Sequence, residues 1–335
     1  MQVVENARSP EEEVSSFNPI LLSLGTFLAF GLAIATGLIL DRIDKSLKTA
    51  GEFSKILDYP LLGLVPEFNK AIGEASLNSR SISQEALEVY KGIYSSLKVI
   101  NIESPAKVIA ITSSVHGEGK SEVAANLAAA IAHSRRRVLL IDADLRKPVQ
   151  HELWQINNAA GLSHFLSEKS SLDSVTHQLN PYLSVMTAGL AVAEPSLFFE
   201  SARMKEMLHE VRSDYDYVIF DTAPVLPEPD TLMLGQVSEG VIFVGRPKHV
   251  RQTDVLAASN LIEQAKLSVI GLIVNCVSRY EQKENRTPFS YAYRTVGEDV
   301  GYRGNEQQPA SHGNVAMLQT VTDEMVSSSG SNGRG

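Results

Sequence analysis

The sequence predicts an α/β fold with a doubly wound, mostly parallel sheet, preceded by one transmembrane helix. Short apolar runs of strand length alternate with helical segments, as in a parallel sheet covered by helices on both faces. A glycine-containing loop joins one of these runs to an Ala- and Leu-rich segment with high helix propensity. An uncharged run of membrane-spanning length lies near the N-terminus. These three observations carry the prediction.

The uncharged run is the first element of the chain. No charged residue occurs between Glu13 and Asp41. About 20 apolar residues cross ~30 Å of hydrocarbon, so residues 19–40 are predicted to form a transmembrane helix, with residues 1–18 as a short extracytoplasmic stub. A cleaved signal peptide would need a basic leading region and a small-residue cleavage site. A buried core helix rarely runs this long without a polar face.

Flanking charges predict the orientation of this helix. Only Arg8 and four acids precede it, whereas Arg42, Lys45, Lys48 and Lys55 follow it. Because basic residues favour the cytoplasmic side, the large C-terminal part is expected in the cytoplasm of a single-pass protein. The net charge of −9 argues against a nucleic-acid partner. The lone cysteine, Cys276, lies in an apolar run and is expected to be a small core residue in a reducing compartment.

A juxtamembrane linker is predicted at residues 41–83, with a helical part within residues 41–69 and a polar loop at residues 72–83. Within it, residues 59–66 contain two prolines, which interrupt a helix and predict an extended docking segment. The main folded domain is predicted at residues 84–280, and its first element is an imperfectly amphipathic helix at residues 84–101. Residues 281–335 are predicted to be a flexible tail, because Gly, Ser, Asn and Gln dominate its end.

The glycine loop follows a predicted strand at residues 108–112 and precedes a predicted helix at residues 122–132. Gly117 and Gly119 allow backbone N–H groups to turn toward an anion, and the helix N-terminus adds partial positive charge. Lys120 can reach the outer phosphates of a nucleotide, and a hydroxyl after it can ligate Mg²⁺. The predicted nucleotide-binding residues are Val115, His116, Gly117, Glu118, Gly119, Lys120, Ser121 and Glu122. Ser114 stands where such a P-loop usually has its first glycine.

Further buried strands are predicted at residues 138–142, 183–187, 217–221, 241–244 and 269–275. Two of them end in carboxylates, at Asp142 and Asp144 and at Asp221. Ligands of parallel sheets bind at the carboxyl ends of strands, where Mg²⁺ prefers oxygen donors. We predict that Ser121, Asp144 and Asp221 hold Mg²⁺ and that Asp142 accepts a proton, with Lys120 neutralising phosphate charge. An aspartate that only caps the following helix is the structural alternative.

Together, three motifs resemble those of the bacterial tyrosine autokinases, the BY-kinases of exopolysaccharide and capsule export. They are residues 117–121 (Gly-Glu-Gly-Lys-Ser), 139–146 (Leu-Leu-Ile-Asp-Ala-Asp-Leu-Arg) and 218–224 (Val-Ile-Phe-Asp-Thr-Ala-Pro). Residues 61–66 and 269–275 also resemble the family in order and spacing. The resemblance implies a Rossmann-like P-loop domain that uses ATP and Mg²⁺, with Lys120, Asp142, Asp144 and Asp221 as catalytic residues. Asn275 would join its nucleotide site.

The family resemblance also implies a place and partners. It implies the bacterial inner membrane, autophosphorylation of a C-terminal tyrosine cluster by a neighbouring subunit, and regulation of polysaccharide polymerisation and export. Four of the ten tyrosines lie close together, so Tyr280, Tyr291, Tyr293 and Tyr302 are the predicted phospho-acceptors. The first transmembrane helix and periplasmic domain of the family are not found here, and a separate membrane protein or a longer chain would supply them.

The predicted subunit interface departs from the family pattern. Relatives carry Glu-x-x-Arg-x-x-Arg on the helix before the first strand, whereas the matching positions here are Glu88, Lys91 and Tyr94. Since lysine is a weaker partner than arginine for a carboxylate and tyrosine is uncharged, a weakened homo-oligomeric ring is predicted.

Two other functions stay open from the sequence. One is a membrane-tethered ATPase switch of the septum-positioning kind, although Val115 stands where those proteins carry a signature lysine. The other is an ATP-binding scaffold of polysaccharide assembly without kinase activity.

Overall fold

The computed structural model describes residues 19–43, 46–68, 83–100, 105–167, 170–192, 194–278 and 281. All of them belong to the first of the two units into which the chain divides, Met1–Ala292. The predicted stub at residues 1–18, the four predicted acceptor tyrosines and residues 282–335 of the predicted tail lie outside the described residues. The predicted domain limits therefore stay predictions.

One eight-stranded sheet forms the centre of the described structure, in the order β1-β8-β7-β2-β6-β3-β5-β4. Neighbouring strands are parallel except for the antiparallel pair β4 and β5. The strands are β1 Leu61–Pro66, β2 Val108–Ser113, β3 Val138–Asp142, β4 Thr176–Asn180, β5 Leu183–Met186, β6 Tyr217–Asp221, β7 Gly240–Gly245 and β8 Val269–Val277. The predicted mostly parallel α/β sheet is confirmed, and every strand predicted from the sequence is present.

Helices cover both faces of the sheet. Among the described residues, the helices are α1 Pro19–Ile43, α2 Ala50–Ile56, α3 Gln84–Ile100, α4 Lys120–His133, α5 Gln150–Trp154, α6 Leu162–Leu166, α7 Leu172–Val175, α8 Ser196–Phe199, α9 Ala202–Asp214, α10 Thr231–Val237 and α11 Gln252–Gln264. Helices α3 and α4 pack on one face, against residues such as Ile109 and Ile111. Helices α6 and α9 pack on the other face, with α2 and α11 beside them.

Strand β4 is absent from the sequence prediction. Its sequence, Thr-His-Gln-Leu-Asn, is polar, and its residues alternate only between partly buried and exposed. It forms the edge of the sheet and pairs on one side with β5. An edge strand with one solvent-exposed face needs few apolar residues, so hydrophobic periodicity does not predict it.

Helix α1 covers the predicted transmembrane segment. Several of its large apolar side chains are exposed, by 49% at Ile34, 72% at Ile20 and 77% at Phe27. In the part of the chain that the structure describes, no helix reaches the length and apolar character required to cross a membrane. The prediction of a membrane span therefore stays a prediction.

Part of the predicted linker packs on the sheet. The predicted extended segment forms β1, which pairs in parallel with β8 at the sheet edge, where its flanking prolines are tolerated. In α2, Phe53 is fully buried, and a Cβ added to Gly245 would lie 2.3 Å from its ring. Leu47 donates its N–H to the carbonyl of Val250 at 3.1 Å. Residues 46–66 thus extend the sheet and its core rather than only connecting segments.

The expectation of a buried Cys276 is wrong. The residue is only partly buried, and its backbone has a φ of 55°. Its N–H donates to Oδ1 of Asn275 at 2.9 Å. The left-handed backbone interrupts the alternation of β8 near its end, so Cys276 does not continue the buried face.

Candidate active site

The glycine loop connects β2 to α4 and lies at the carboxyl end of the sheet, as predicted. Gly117 and Gly119 have φ values of 86° and 87°, in the left-handed region that favours glycine. An added Cβ would lie 2.7 Å from Nε2 of His249 at Gly117 and 2.1 Å from Nδ2 of Asn275 at Gly119. Both positions therefore require glycine for conformation and for space. Ser114, in place of the usual glycine, is buried within the loop.

Three side chains from outside the loop hold its carbonyl groups. Arg246 donates to the carbonyl of Gly117 at 3.0 Å, and Nε2 of His249 lies 2.8 Å from the carbonyl of His116. Asn275, expected at the nucleotide, donates instead to the carbonyl of Glu118 at 2.9 Å. Because these three contacts use carbonyl oxygens, they keep the loop's shape and leave the N–H groups of residues 116–121 as donors for an anion.

The motif predicts that Glu118 binds the nucleotide, but its carboxyl group forms a hydrogen bond within the loop. Its side chain is buried, and Oε2 accepts the N–H of Val115 at 2.8 Å. Burial raises the pKa of Glu118 to about 8. The carboxyl group therefore closes the loop on itself, and only the backbone of Glu118 is placed to meet a ligand. His116 and Glu122 are exposed, and Val115 is partly buried.

Lys120 is the first residue of α4 and is buried rather than on an exposed loop. Its Nζ lies 3.0 Å from Oδ2 of Asp144, 3.7 Å from Oδ1 of Asp221 and 3.1 Å from Oγ of Ser121. Burial alone would lower the pKa of Lys120, but Asp221 and Asp144 outweigh it and raise the pKa. The lysine is therefore charged among the carboxylates that the sequence predicted to be its neighbours.

Asp221 and Asp142 stand side by side at the ends of β6 and β3. Oδ1 of Asp221 accepts the hydroxyl of Ser121 at 3.0 Å. Oδ2 of Asp142 accepts the backbone N–H groups of Val149 and Gln150 at 3.0 and 2.8 Å. Asp142 therefore caps the following helix with one oxygen, which was the structural alternative. Its Oδ1 is buried and has no hydrogen-bond partner among the described residues.

The two adjacent carboxyl groups shift one another's protonation. Burial and the neighbouring Asp221 raise the pKa of Asp142 well above its ordinary value. Burial also raises the pKa of Asp221, although Lys120, Gln150 and Ser121 oppose that shift. A carboxyl group with a raised pKa and one unpartnered oxygen is suited to holding a proton at that atom.

The residues present fit a magnesium ion. Ser121, Asp144 and Asp221 offer hydroxyl and carboxylate oxygens around the single ammonium of Lys120. Among the described residues, no group of three or more His, Cys, Asp or Glu residues could hold a metal by itself. Mg²⁺ commonly takes one or two protein carboxylates and completes its shell with water and phosphate oxygens, so this donor set suits it.

Two features beside the site were missed from the sequence. Gln150 is buried and donates from Nε2 to Oδ2 of Asp221 at 2.8 Å. At the rim, Arg146 binds Asp230 at 2.6 Å and lies 3.8 Å from Glu228. Arg146 belongs to one of the three motifs, whereas Glu228 and Asp230 lie in the loop after β6. Their distance along the sequence gives no indication that they are in contact.

The predicted interface residues of α3 differ in how exposed they are. Glu88 is exposed and pairs with Lys91 on its own helix at 2.9 Å. Tyr94 is 4% exposed, and its ring packs edge-on against Tyr217 with centroids 5.7 Å apart. The prediction that Tyr94 faces a neighbouring subunit disagrees with this burial, because the helix turns that position toward the core.

Comparison with known proteins identifies the family. A family model described as an AAA domain matches residues 106–264. The tyrosine-protein kinase YwqD of Bacillus subtilis is 36% identical over 189 residues, which cover 56% of this chain and 80% of that protein. The chain belongs to the bacterial tyrosine-protein kinases. It is a protein-tyrosine kinase with a P-loop nucleotide site, as the motifs predicted.

Other relatives of the kinase differ in how much they share. The tyrosine-protein kinase ptk of Acinetobacter johnsonii is 27% identical over 292 residues, which cover 83% of this chain but 40% of that protein. The crystal structure of the chimerical protein CapA2B2 has a TM-score of 0.60 at 27% identity and covers 69% of this chain and 100% of that chain. The kinase thus spans most of some relatives and less than half of others.

Proposed function

We propose that the kinase is a membrane-anchored autokinase that transfers a phosphoryl group from ATP, with Mg²⁺, to its own C-terminal tyrosines in trans. The transfer would regulate exopolysaccharide or capsule polymerisation and export. One observation carries the catalytic part of this proposal: Lys120, Ser121, Asp144 and Asp221 converge beside an Asp142 oxygen that has no partner among the described residues.

The nucleotide is held mainly by the glycine loop. Backbone N–H groups of residues 116–121 bind the phosphates at the start of α4, and Lys120 neutralises charge that develops on the outer phosphates. Ser121, Asp144 and Asp221 hold Mg²⁺ directly or through water. The metal supplies further neutralisation of phosphate charge. Lys120 leaves its ion pair with Asp144 for a phosphate oxygen, since both compete for the same ammonium.

Asp142 acts on the acceptor. A tyrosine oxygen forms a bond to the terminal phosphorus of ATP, the bond to ADP breaks, and the phenol proton passes to Oδ1 of Asp142. The phenol has an ordinary pKa near ~10, so it needs a base near the reacting oxygen. The raised pKa of Asp142 increases its affinity for that proton. Oδ2 stays bound to the start of α5, which fixes the carboxyl plane.

The acceptors are Tyr280, Tyr291, Tyr293 and Tyr302. Their clustering in a polar, glycine-containing part of the sequence supports this role. A neighbouring subunit would phosphorylate them, in a homo-oligomer that Glu88 and Lys91 help to form. Arginine-free contacts of this kind would be weak, so shared anchoring would supply much of the local concentration.

Anchoring is assigned to α1. Its exposed apolar side chains and the basic residues after it support a single pass through the bacterial inner membrane, with the kinase domain in the cytoplasm. A separate membrane protein of polysaccharide polymerisation and export is the proposed partner. The existence of a chimerical protein among the solved relatives accords with a kinase that works together with a second polypeptide.

The decisive experiment uses the full chain in detergent micelles with ATP and Mg²⁺, followed by mapping of phosphotyrosine by mass spectrometry. We expect phosphate on residues between 280 and 302, and none in the Lys120→Met variant. A matched control is Lys205→Met, which changes an exposed lysine of α9. ATP hydrolysis without phosphotyrosine would contradict autokinase activity and favour an ATPase switch. ATP binding without either reaction would favour a scaffold.

A further inference from the structure

Gln150, the first residue of α5, connects both strand-end carboxylates of the site. We propose that Gln150, oriented by Trp154, is a positioning residue that fixes the carboxylate of Asp221 and thereby sets the affinity of the kinase for Mg²⁺ with nucleotide. This inference rests on the proposed ATP and Mg²⁺ site. It assigns a role to residues outside the three motifs that carry the family resemblance.

The indole of Trp154 determines which way the amide of Gln150 points. Nε1 of Trp154 lies 3.0 Å from Oε1 of Gln150, and an indole N–H can only donate. The amide oxygen therefore faces Trp154, and the amide nitrogen faces the opposite way. Exposed fractions are 0% for Gln150 and 5% for Trp154, so water does not compete for these groups. A rotated amide would place its NH₂ against the indole N–H and lose every contact described here.

The amide nitrogen uses both of its hydrogens on the site. Nε2 donates to Oδ2 of Asp221 at 2.8 Å and to the backbone carbonyl of Ser121 at 2.9 Å. Oδ2 of Asp221 is thus engaged on the buried side. The other oxygen, Oδ1, faces the hydroxyl of Ser121 and the ammonium of Lys120. Gln150 therefore decides which oxygen of Asp221 is presented to a metal.

The backbone N–H of Gln150 holds one oxygen of Asp142, as its side chain holds one oxygen of Asp221. Its N–H donates to Oδ2 of Asp142 at 2.8 Å and leaves Oδ1 without a partner among the described residues. One residue thus holds one oxygen of each of two adjacent carboxylates. A side-chain substitution keeps the backbone bond to Asp142 but removes the bond to Asp221, so the two functions can be separated by mutation.

The test compares Gln150→Met with the parent chain in detergent micelles. Methionine has nearly the same length but donates no hydrogen bond, so Asp221 can rotate. Partners that orient metal ligands typically change metal affinity 10- to 100-fold when removed, so we expect about a tenfold higher Mg²⁺ concentration for half-saturation. Binding of a fluorescent ATP analogue without Mg²⁺ should change much less, because Gln150 contacts the glycine loop only at the carbonyl of Ser121 and leaves the phosphate-binding N–H groups free.

The kinase contains a single tryptophan, Trp154, which gives a readout independent of activity. Its emission should change as Mg²⁺ is added to the parent chain with ATP, since its N–H is two hydrogen bonds from Asp221. In Gln150→Met, which breaks this chain of hydrogen bonds, the response of the emission to Mg²⁺ should be lost. Gln155→Met, on an exposed residue just after α5, is the control and should match the parent.

A second variant keeps the test decisive if Gln150→Met fails to fold. Trp154→Phe retains an aromatic ring but removes the N–H that orients the amide, and should raise the Mg²⁺ requirement by about fivefold through the loss of one hydrogen bond. The fluorescent nucleotide reports this variant. If Gln150→Met folds and its Mg²⁺ concentration for half-saturation lies within twofold of the parent value, the inference is overturned. If Gln150→Met does not fold, the same result in Trp154→Phe overturns it. A parent chain that binds no nucleotide with Mg²⁺ overturns the proposed function itself.

Discussion

The ammonium of Lys120 and the carboxylate of Asp144 form a buried ion pair with 3.0 Å between Nζ and Oδ2. The side chains are 10% and 2% exposed, so solvent screens the pair little. Asp221 lies 3.7 Å from the same ammonium. One lysine therefore compensates two buried acids before any metal binds, and this balance governs the first prediction.

Lys120→Met should abolish autophosphorylation and also lower stability. Removal of one partner from a buried ion pair leaves uncompensated charge, at a cost of roughly 3 kcal/mol. The loss should be smaller at pH 5 than at pH 8, because the raised pKa of Asp221 lets that carboxyl protonate as the pH falls. Urea unfolding at both pH values measures the difference. Equal losses at both would contradict the role of Lys120 as the counter-charge.

Glu118→Gln should stabilise the kinase at high pH. The folded-state pKa of Glu118 is raised from 4.5 to about 8 by burial, so the folded chain binds the proton more tightly than the unfolded chain. Stability from this group is complete below the unfolded pKa and is lost as the pH rises through the folded pKa. The neutral amide keeps an oxygen for the N–H of Val115 and avoids that loss.

The measurement for Glu118 is the difference in unfolding free energy between variant and parent at pH 5 and pH 8. The difference should grow by about 1–2 kcal/mol toward pH 8, since each pKa unit corresponds to ~1.4 kcal/mol before relaxation. Asp142 and Asp221 are present in both proteins, so their contributions to the pH dependence of the unfolding free energy cancel to first order in the difference. Glu210→Gln, on an exposed position of α9, should show no such trend. A difference that shrinks with pH would refute the assignment.

The three strand-end aspartates should separate kinetically. Asp142→Asn should slow phosphotransfer by about 10²-fold or more at saturating Mg²⁺, because a general base typically contributes that much. Asp144→Asn and Asp221→Asn should instead raise the Mg²⁺ requirement, as expected for oxygen ligands of the metal. Rates of tyrosine labelling as a function of Mg²⁺ measure both effects. An equal shift in Mg²⁺ requirement for all three would make Asp142 another metal ligand.

Most of the sheet could be predicted because each inner strand carries its own signal. Val138–Asp142 is entirely buried, so a continuous apolar run ends at a carboxylate, and the register beside Tyr217–Asp221 follows from parallel topology. The glycine loop was equally local, since its φ values demand glycine at two fixed positions. Strand β4 carried no such signal, because an edge strand can be polar.

The missed features all depend on contacts between distant segments. Gln150 meets Asp221 through the fold, and nothing about a glutamine after a proline-containing turn indicates a partner on another strand. Asn275 was assigned to the nucleotide from family resemblance, whereas its amide binds the loop backbone. Tyr94 was assigned to the subunit interface by matching the family pattern, whereas its ring packs against Tyr217 in the folded domain.

The burial of Tyr94 changes the assembly experiment. Replacing Lys91 and Tyr94 by arginine would restore the Glu-x-x-Arg-x-x-Arg pattern that the family resemblance connects with a ring. An arginine at position 94 would lose the ring contact with Tyr217 and bring a charge close to Lys98, whose Nζ lies 4.9 Å from the Tyr94 ring. Tyr94→Arg should therefore lower the unfolding free energy by roughly 3 kcal/mol rather than promote assembly. Thermal unfolding of the single variants measures this.

Lys91→Arg alone is then the informative variant for the subunit contact. Lys91 is about one-third exposed and pairs only with Glu88 of its own helix among the ion pairs described, so a guanidinium there could form a bidentate contact with a neighbouring carboxylate. We expect a fragment starting at residue 46 to be largely monomeric at micromolar concentration, to label its tyrosines faster as its concentration rises, and to associate more strongly as Lys91→Arg. Light scattering and labelling rates over a dilution series measure these effects. A stable ring in the unsubstituted fragment, with labelling independent of dilution, would show that other surfaces hold the subunits together.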